Sequence, residues 1–214
     1  MRFQVRRVWV WIAVAGLAAF TALAIDVSVF HRTSPFALDR AVNSWIVGGR
    51  VGALVSVSKF MATIGAGTLG DLIIPGVVAI AFVIARRWRA AVILVVVMAV
   101  SSALVQLLKT VIHRARPPHG LVHEASWSFP SGHATQAGTL VVVLMLLLRW
   151  RWFVIAGSPY ALAMAASRVY LGVHWTTDVV AGLVLGGSVG LLGVGALDRA
   201  LQRLDTWMSS RVAA

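Results

Sequence analysis

The sequence predicts an all-α membrane protein, a polytopic bundle of six transmembrane helices with both termini in the cytoplasm. Of its 214 residues, 59% are hydrophobic and only 12% are charged, whereas soluble domains are about half apolar and about a quarter charged. Long apolar runs recur along the whole chain, and about 20 residues suffice for one helical span. We therefore expect residues 1–214 to form one integral-membrane domain, without a separate soluble domain.

Six apolar runs are candidates for these spans. They lie at residues 8–29, 72–85, 90–112, 133–148, 152–171 and 176–197. The second run is short, and glycines within residues 63–71 obscure its start. The first run also resembles a secretory signal peptide, because arginines precede an apolar stretch with a small-residue Ala22-Leu23-Ala24 triplet. Its length favours a retained span, and cleavage would leave the orientation of the rest unchanged.

The net charge of +12 reflects membrane topology, because the cations sit between apolar runs; we expect no nucleic-acid partner. Cytoplasmic loops carry an excess of Lys and Arg. One set of span ends holds Arg2, Arg6, Arg7, Arg86, Arg87, Arg89, Arg149, Arg151, Arg199, Arg203 and Arg211. The other set holds Arg32, Arg40, Arg50, Lys59, Lys109, Arg114, Arg116 and Arg168. The larger set is assigned to the cytoplasm, which places the other set on the extracytoplasmic side.

Residues 35–64, between the first two runs, form a mildly apolar segment. Phe36, Val42 and Trp45 alternate there with polar residues, and Gly48 and Gly49 interrupt the pattern. Amphipathic segments of this kind lie in the membrane interface. We expect one or two helices on the extracytoplasmic surface.

Ionisable residues collect at the extracytoplasmic ends of the last four spans. Such residues are costly within a membrane protein and usually mark a functional site. They are Lys109, His113, Arg114, Arg116, His119, His123, Glu124, His133, Arg168, His174 and Asp178. The predicted topology brings these four span ends to the same depth, where a single site can form.

The first pattern in this set is Lys109 followed by Arg116 and Pro117. A spacing of seven residues is nearly two helical turns, so the two cations can share one face at the helix exit. Proline then ends the helix. This predicts a pair of fixed positive charges at the membrane surface.

The second pattern is Pro130-Ser131-Gly132-His133, at the start of the fourth span. Serine is a good N-cap and glycine allows close backbone approach. Free N–H groups at such a helix start bind anions. The pattern predicts an anion site next to a histidine.

The third pattern contains Ser167, Arg168, His174 and Asp178. His174 and Asp178 are four residues apart, so their side chains can touch and the carboxylate can fix the imidazole tautomer. A histidine supported in this way is a nucleophile or base, and a second histidine can act as acid. Together with the fixed cations, the three patterns predict a site for a multiply charged oxyanion such as phosphate.

These three patterns, in this order, resemble the signature motifs of the type 2 phosphatidic acid phosphatase family of membrane lipid phosphatases, particularly its small bacterial members that act on phosphatidylglycerophosphate or undecaprenyl pyrophosphate. The resemblance implies that His174 attacks phosphorus, Asp178 orients it, and His133 protonates the leaving oxygen. It implies phosphoryl binding by Lys109, Arg116, Ser131, Gly132 and Arg168. It implies a lipid phosphate substrate, a bacterial cytoplasmic membrane with the site on its extracytoplasmic side, and no metal or other cofactor. Which lipid is bound stays open.

Two other functional classes compete with this hypothesis. A transporter would carry ionisable groups through the depth of the membrane, and a haem-binding electron carrier would use histidine pairs such as His133 and His174. Absence of a Soret band in purified protein would exclude the haem carrier.

Several residues near the motifs receive less specific interpretations. Arg114 is taken as a cation that extends from a helix end toward water. Glu124 either pairs with a site cation or faces solvent, and His113, His119 and His123 receive no role. Gly182, Gly186 and Gly190 predict helix packing, within one bundle or between two, so the oligomeric state stays open.

Overall fold

The computed structural model of the chain describes residues 7–65, 68–150 and 152–212. Within these ranges the chain is helical and contains no strand, which confirms the predicted all-α class. The helices are α1 (Arg7–Phe30), α2 (Ala37–Gly48), α3 (Gly52–Gly65), α4 (Ile74–Ile84), α5 (Trp88–Ile112), α6 (Gly132–Leu148), α7 (Phe153–Tyr170) and α8 (Thr176–Val212). A π-helical segment, Thr68–Ile73, leads directly into α4.

Three of these helices are long and apolar enough to cross a membrane: α1, α5 and the Thr176–Trp207 part of α8. A fourth candidate is the bent pair made by α3 and Leu69–Ile84. Helix α6 is apolar but shorter. The described ranges therefore hold three or four candidate spans, and six spans with cytoplasmic termini remain a prediction. Arg2, Arg6 and Arg151, which supported the orientation, lie outside the described residues.

The outward faces of the bundle carry large apolar side chains. Trp11 and Phe30 of α1 are 71% and 69% exposed, and Ile84 at the end of α4 is 77% exposed. Exposed apolar area of this extent is unfavourable in water but suits contact with lipid. This surface agrees with the membrane location that the composition predicts.

Helix α8 lies at the centre of the bundle and contacts α1, α5, α6 and α7. Its glycines allow α6 to approach closely. A Cβ added to Gly182 would lie 2.7 Å from the Ser131 carbonyl oxygen, and one added to Gly186 would overlap the Thr135 carbonyl oxygen. The predicted packing role of these glycines is confirmed within one bundle, where the close approach holds α6 against α8 below the three motifs.

Two segments differ in detail from the sequence prediction. Residues 35–64 contain two helices, α2 and most of α3, as the glycine break predicts, while their place in the membrane interface stays a prediction. Helix α8 continues past the predicted end at Leu197 to Val212. Side-chain pairs support this polar extension: Gln202 Nε2 donates to Asp198, and Arg89 pairs with Asp205. The apolar run marks the most hydrophobic part of α8 and not the length of the helix.

The bundle has two chemically different ends. At one end the Arg87 side chain donates to the Leu147 carbonyl oxygen, which joins the α4–α5 turn to the end of α6. The Arg89–Asp205 ion pair lies at the same end. The opposite end carries the start of α6, the start of α8 and all three sequence motifs. The candidate site is at this second end.

Candidate active site

Two loops bring the three motifs together: residues 113–131, between α5 and α6, and residues 171–175, between α7 and α8. Leu121 N–H donates to the Leu171 carbonyl oxygen at 2.9 Å, and the Trp175 indole donates to the Ala115 carbonyl oxygen at 2.8 Å. Ser131 N–H donates to the Asp178 carbonyl oxygen at 3.1 Å. These bonds join the phosphate-binding candidates of one loop to the histidine of the other.

Lys109 and Arg116 do meet, but the reason predicted from the sequence is wrong. Helix α5 ends at Ile112, and His113 has a left-handed backbone with φ of 54°. Arg116 therefore lies in the loop and not on the same helical face as Lys109. The two side chains converge on shared acceptors, because Lys109 Nζ donates to Ser126 Oγ at 2.9 Å and to the Trp127 carbonyl oxygen at 2.7 Å. Arg116 Nη2 approaches the same two oxygens at 3.3 and 3.2 Å.

His174 is held between a cation and a carboxylate. Arg116 Nη1 lies 3.2 Å from His174 Nε2, and Asp178 Oδ2 lies 3.4 Å from His174 Nδ1. The carboxylate favours the proton on Nδ1, so the lone pair is on Nε2. Burial lowers the pKa of His174 well below the ordinary value of 6.5, and the nearby Arg116 and Lys109 lower it further. The imidazole is consequently neutral at neutral pH, which is the form a nucleophile requires.

A tight turn after α7 places His174 at this position. Gly172 has φ of +68°, in the region that glycine adopts without strain. Gly172 N–H donates to the Val169 carbonyl oxygen and Val173 N–H donates to that of Arg168. The turn therefore links Arg168, in the last turn of α7, directly to the histidine that follows it.

The carboxylate of Asp178 is held on both oxygens. Oδ2 accepts from the Ser128 hydroxyl and, at 2.9 Å, from Trp175 N–H. Oδ1 accepts from Arg114 Nη1 at 2.5 Å. These bonds fix its orientation toward His174.

The position of Arg114 differs from the sequence prediction. It was taken as a helix-end cation directed at water, but its side chain is fully buried. Its guanidinium pairs with Asp178 on one side and with Asp39 of α2 on the other. The bonds to two carboxylates explain why a permanently charged side chain is tolerated in the interior.

Three buried donor atoms in the motifs have no hydrogen-bond partner: Ser131 Oγ, Arg168 Nε and Arg168 Nη1. Ser131 occupies the N-cap position of α6 as predicted, but its hydroxyl makes no capping bond. The first N–H groups of the helix, beginning at Gly132, have no partner within the helix. Buried donors without partners are rare and costly, and here they belong to a set suited to an oxygen-rich anion.

His133 follows Gly132 in the first turn of α6 and contacts α3. Its Nε2 lies 3.0 Å from the Ala62 carbonyl oxygen. A carbonyl only accepts, so Nε2 carries a proton and donates to it. A neutral imidazole that lost this proton would become an imidazolate, so an acid role for His133 requires a second proton, on Nδ1.

Glu124 pairs with cations of the site, which is one of the two options left open above. Arg168 Nη2 donates to Glu124 Oε1, and Glu124 Oε2 lies 3.7 Å from Arg116 Nη2. His113 stacks edge-on against Trp127. Within the described ranges no group of three or more His, Asp or Glu side chains is arranged to hold a metal ion.

Residues 90–200 match the family model of the PAP2 superfamily. This match covers more than half of the chain. The chain belongs to the PAP2 superfamily. The resemblance seen in the three motifs is therefore confirmed at the level of the family.

Several named phosphatases are similar to this chain, and three comparisons illustrate this. An undecaprenyl-diphosphatase of Sulfolobus acidocaldarius is 34% identical over 126 residues, which cover 55% of this chain and 60% of that protein. Phosphatidylglycerophosphatase B of Bacillus subtilis is 30% identical over 184 residues, covering 79% and 88%. The crystal structure of a transmembrane PAP2-type phosphatidylglycerolphosphate phosphatase from B. subtilis matches with a TM-score of 0.73 at 29% identity, covering 88% of this chain and 97% of that one. The predicted enzyme class, a membrane phosphatase, agrees with these relatives.

Sequence reasoning missed two residues of the site, Asp39 and Ser128. Asp39 lies in the segment 35–64, which was expected to lie in the membrane interface, and its side chain is fully buried. Ser128 lies just before the second motif and bonds Asp178. An acidic residue within an apolar amphipathic segment was a usable signal for Asp39; nothing in the sequence distinguished Ser128 from Ser126.

Proposed function

We propose that this PAP2 protein hydrolyses the phosphate monoester or pyrophosphate of a membrane lipid through a phosphohistidine intermediate, without a metal ion. In the first step the His174 Nε2 lone pair forms a bond to phosphorus while the bond from phosphorus to the leaving oxygen breaks. His133, protonated on both ring nitrogens, gives that oxygen a proton and becomes neutral. In the second step water attacks phosphorus, loses a proton to His133, and the N–P bond breaks to release inorganic phosphate.

The observation that carries the proposal is the set of donors around His174 Nε2. Arg116 lies 3.2 Å from that atom and shares acceptors with Lys109. Ser131 Oγ and two nitrogens of Arg168 are buried without partners. Donors and cations fixed in advance stabilise the charge that develops on phosphoryl oxygens in the transition state. In this proposal Lys109, Arg116, Arg168, Ser131 and the Gly132 N–H bind those oxygens.

Glu124 is expected to release the cations when substrate binds. Its carboxylate occupies donors of Arg168 and Arg116 that a phosphoryl group would use. A phosphate group carries more charge than a carboxylate and accepts more hydrogen bonds. The substrate therefore replaces Glu124 on Arg168 in the proposed complex.

The transporter hypothesis is not favoured by the distribution of buried charge. Most buried ionisable side chains in the described ranges lie near the motif end, among them Lys109, Arg168 and Asp178, while Asp198 is buried in the distal part of α8. The middle of α5 and α6 pairs only neutral groups, the hydroxyls of Ser101 and Thr139 at 2.8 Å. An ion pathway requires polar groups through the membrane depth.

Undecaprenyl pyrophosphate and phosphatidylglycerophosphate are the proposed substrates, with phosphatidate as the alternative. The first two correspond to the names of similar proteins. A cavity of about 640 Å³ next to Arg116 is lined by Arg40 and Asn43 of α2, His119 and Trp175, among others. We propose that it receives the part of the substrate adjoining the phosphoryl group, so that α2 contributes to selectivity.

A substrate panel tests the reaction. Purified protein in detergent is expected to release phosphate from at least one of the three lipids, equally fast with and without EDTA. Vanadate, which adopts the five-coordinate geometry of the transition state, is expected to inhibit it. Loss of activity on chelation that Mg²⁺ or Zn²⁺ restores would contradict the metal-free mechanism, and no phosphate release from any of the three would contradict the function.

The site is proposed to face the extracytoplasmic side, since the motif end is opposite the arginine-rich turn between α4 and α5. A matched pair of cysteine variants tests this in a chain that has no cysteine of its own. Ala125→Cys in the loop before α6 and Ala85→Cys at the end of α4 are both exposed positions. In intact cells a membrane-impermeant maleimide is expected to label only Ala125→Cys. Labelling of only Ala85→Cys would reverse the orientation.

A further inference from the structure

A buried chain of charges runs from α2 to the histidine of the site. Arg114 Nη2 donates to Asp39 Oδ2 at 2.7 Å, and Arg114 Nη1 donates to Asp178 Oδ1 at 2.5 Å. The side chains of all three residues are inaccessible to solvent. Asp178 in turn lies 3.4 Å from His174 Nδ1. Four ionisable groups, from α2, two loops and α8, thus form a continuous row of contacts.

The charged side chains in this row make further hydrogen bonds. Asp39 Oδ1 accepts from Thr177 N–H at 2.9 Å and Asp39 Oδ2 from the Thr177 hydroxyl at 2.7 Å. Arg114 Nε donates to the His31 carbonyl oxygen at 3.3 Å. The position of the guanidinium is therefore determined from α2, from α8 and from the end of α1. Buried ion pairs contribute little net stability, because desolvation offsets their attraction, so a purely stabilising role does not account for this arrangement.

The carboxylates of Asp39 and Asp178 share the Arg114 guanidinium, and this arrangement affects the His174 imidazole. Arg114 directs the Asp178 carboxylate so that Oδ2 faces His174 Nδ1. Asp39 binds the other edge of the guanidinium and so limits how much negative charge on Asp178 is neutralised. Asp178 then retains the charge needed to stabilise the imidazolium-like form that develops as His174 attacks.

We infer that Asp39 and Arg114 are positioning residues for His174, acting through Asp178. This inference rests on the proposed function, in which His174 is the nucleophile. It assigns to α2 a part in catalysis beyond contact with lipid. The phosphoryl group itself is bound elsewhere, so substitutions in the chain of charges are expected to change the rate of the chemical step and not substrate affinity.

Two conservative substitutions test the inference, each with a matched control. Asp39→Asn removes one charge, and Arg114→Lys keeps the charge but loses the fork that reaches two carboxylates. Asp205→Asn and Arg89→Lys make the same changes in the ion pair at the far end of α8. The turnover number and KM are measured for a short-chain lipid phosphate in detergent, and folding is followed by thermal unfolding. At metal sites, loss of a partner that orients a histidine typically costs about 10- to 100-fold, and we expect an effect of the same size here.

The expected result is a kcat lowered about 10- to 100-fold in Asp39→Asn and Arg114→Lys, with KM within about twofold and both controls at the wild-type rate. Wild-type kcat in folded Asp39→Asn would overturn the inference, as would a rise in KM at unchanged kcat. Loss of the thermal transition in both variants would also overturn it, since the chain of charges would then serve folding. If wild-type protein released phosphate no faster than His174→Ala protein, the proposed function itself would be refuted. That outcome differs from failure of this inference, in which wild-type protein is active.

Discussion

Replacing His174 by alanine is expected to reduce turnover by at least about 10⁴-fold, because the variant lacks the atom that forms the bond to phosphorus. The remaining cations still bind phosphate, so substrate affinity should change little. The measurement is phosphate release from the preferred lipid under conditions where wild-type protein is saturated.

The control for this substitution is His123→Ala, in the loop before α6. His123 is exposed and has no part in the proposed mechanism, so this variant should retain wild-type turnover. Both variants must be inserted in the membrane and show the wild-type thermal transition. Folded His174→Ala protein with a rate within tenfold of wild type would contradict the nucleophilic role.

Replacing Arg168 by alanine is expected to lower kcat about 10²- to 10³-fold, the usual effect of removing one donor that stabilises transition-state charge. Arg168 is buried, and two of its nitrogens have no partner within the protein. Its donors are thus available to phosphoryl oxygens without breaking internal bonds, apart from the one to Glu124. The loss should appear mainly in kcat and less in KM, because the interaction strengthens as charge develops.

Arg168→Lys distinguishes the shape of the donor from its charge. Lysine retains the charge but not the planar fork, so the kcat of Arg168→Lys should fall between those of wild type and Arg168→Ala. Arg203→Ala, at an exposed position on the far part of α8, is the matched control and should be unaffected. A change in KM alone for both Arg168 variants would mean that this residue binds substrate without stabilising the transition state.

The sequence was sufficient to predict the helical class and to select the residues that the fold brings together. Periodicity and hydropathy placed α5, α6 and α7 close to their observed bounds. A membrane-spanning helix needs a run of consecutive apolar residues, and such a run is visible in the sequence. The four-residue spacing of His174 and Asp178 predicted their contact, which is present at 3.4 Å, although His174 lies in the loop before α8 and not on the helix. In each case local sequence determines the feature.

The features that were not predicted depend on contacts distant in the chain. Arg114 and Asp39 are 75 residues apart, and no local pattern indicates that one neutralises the other. The end of α5 at Ile112 depends on a left-handed conformation at His113, which a non-glycine residue adopts only when its surroundings require it. Hydropathy likewise marks the apolar part of α8 but not its polar extension, which side-chain pairs support.

The most direct test of the account is to trap the intermediate. Wild-type protein mixed with lipid phosphate labelled with ³²P and quenched in alkali within milliseconds is expected to carry label that is stable in base and lost in acid. Peptide mapping is expected to place that label on His174, and His174→Ala protein is expected to carry none. Label on another residue, or turnover in rapidly quenched wild-type protein with no labelled protein at any time, would contradict a phosphohistidine mechanism.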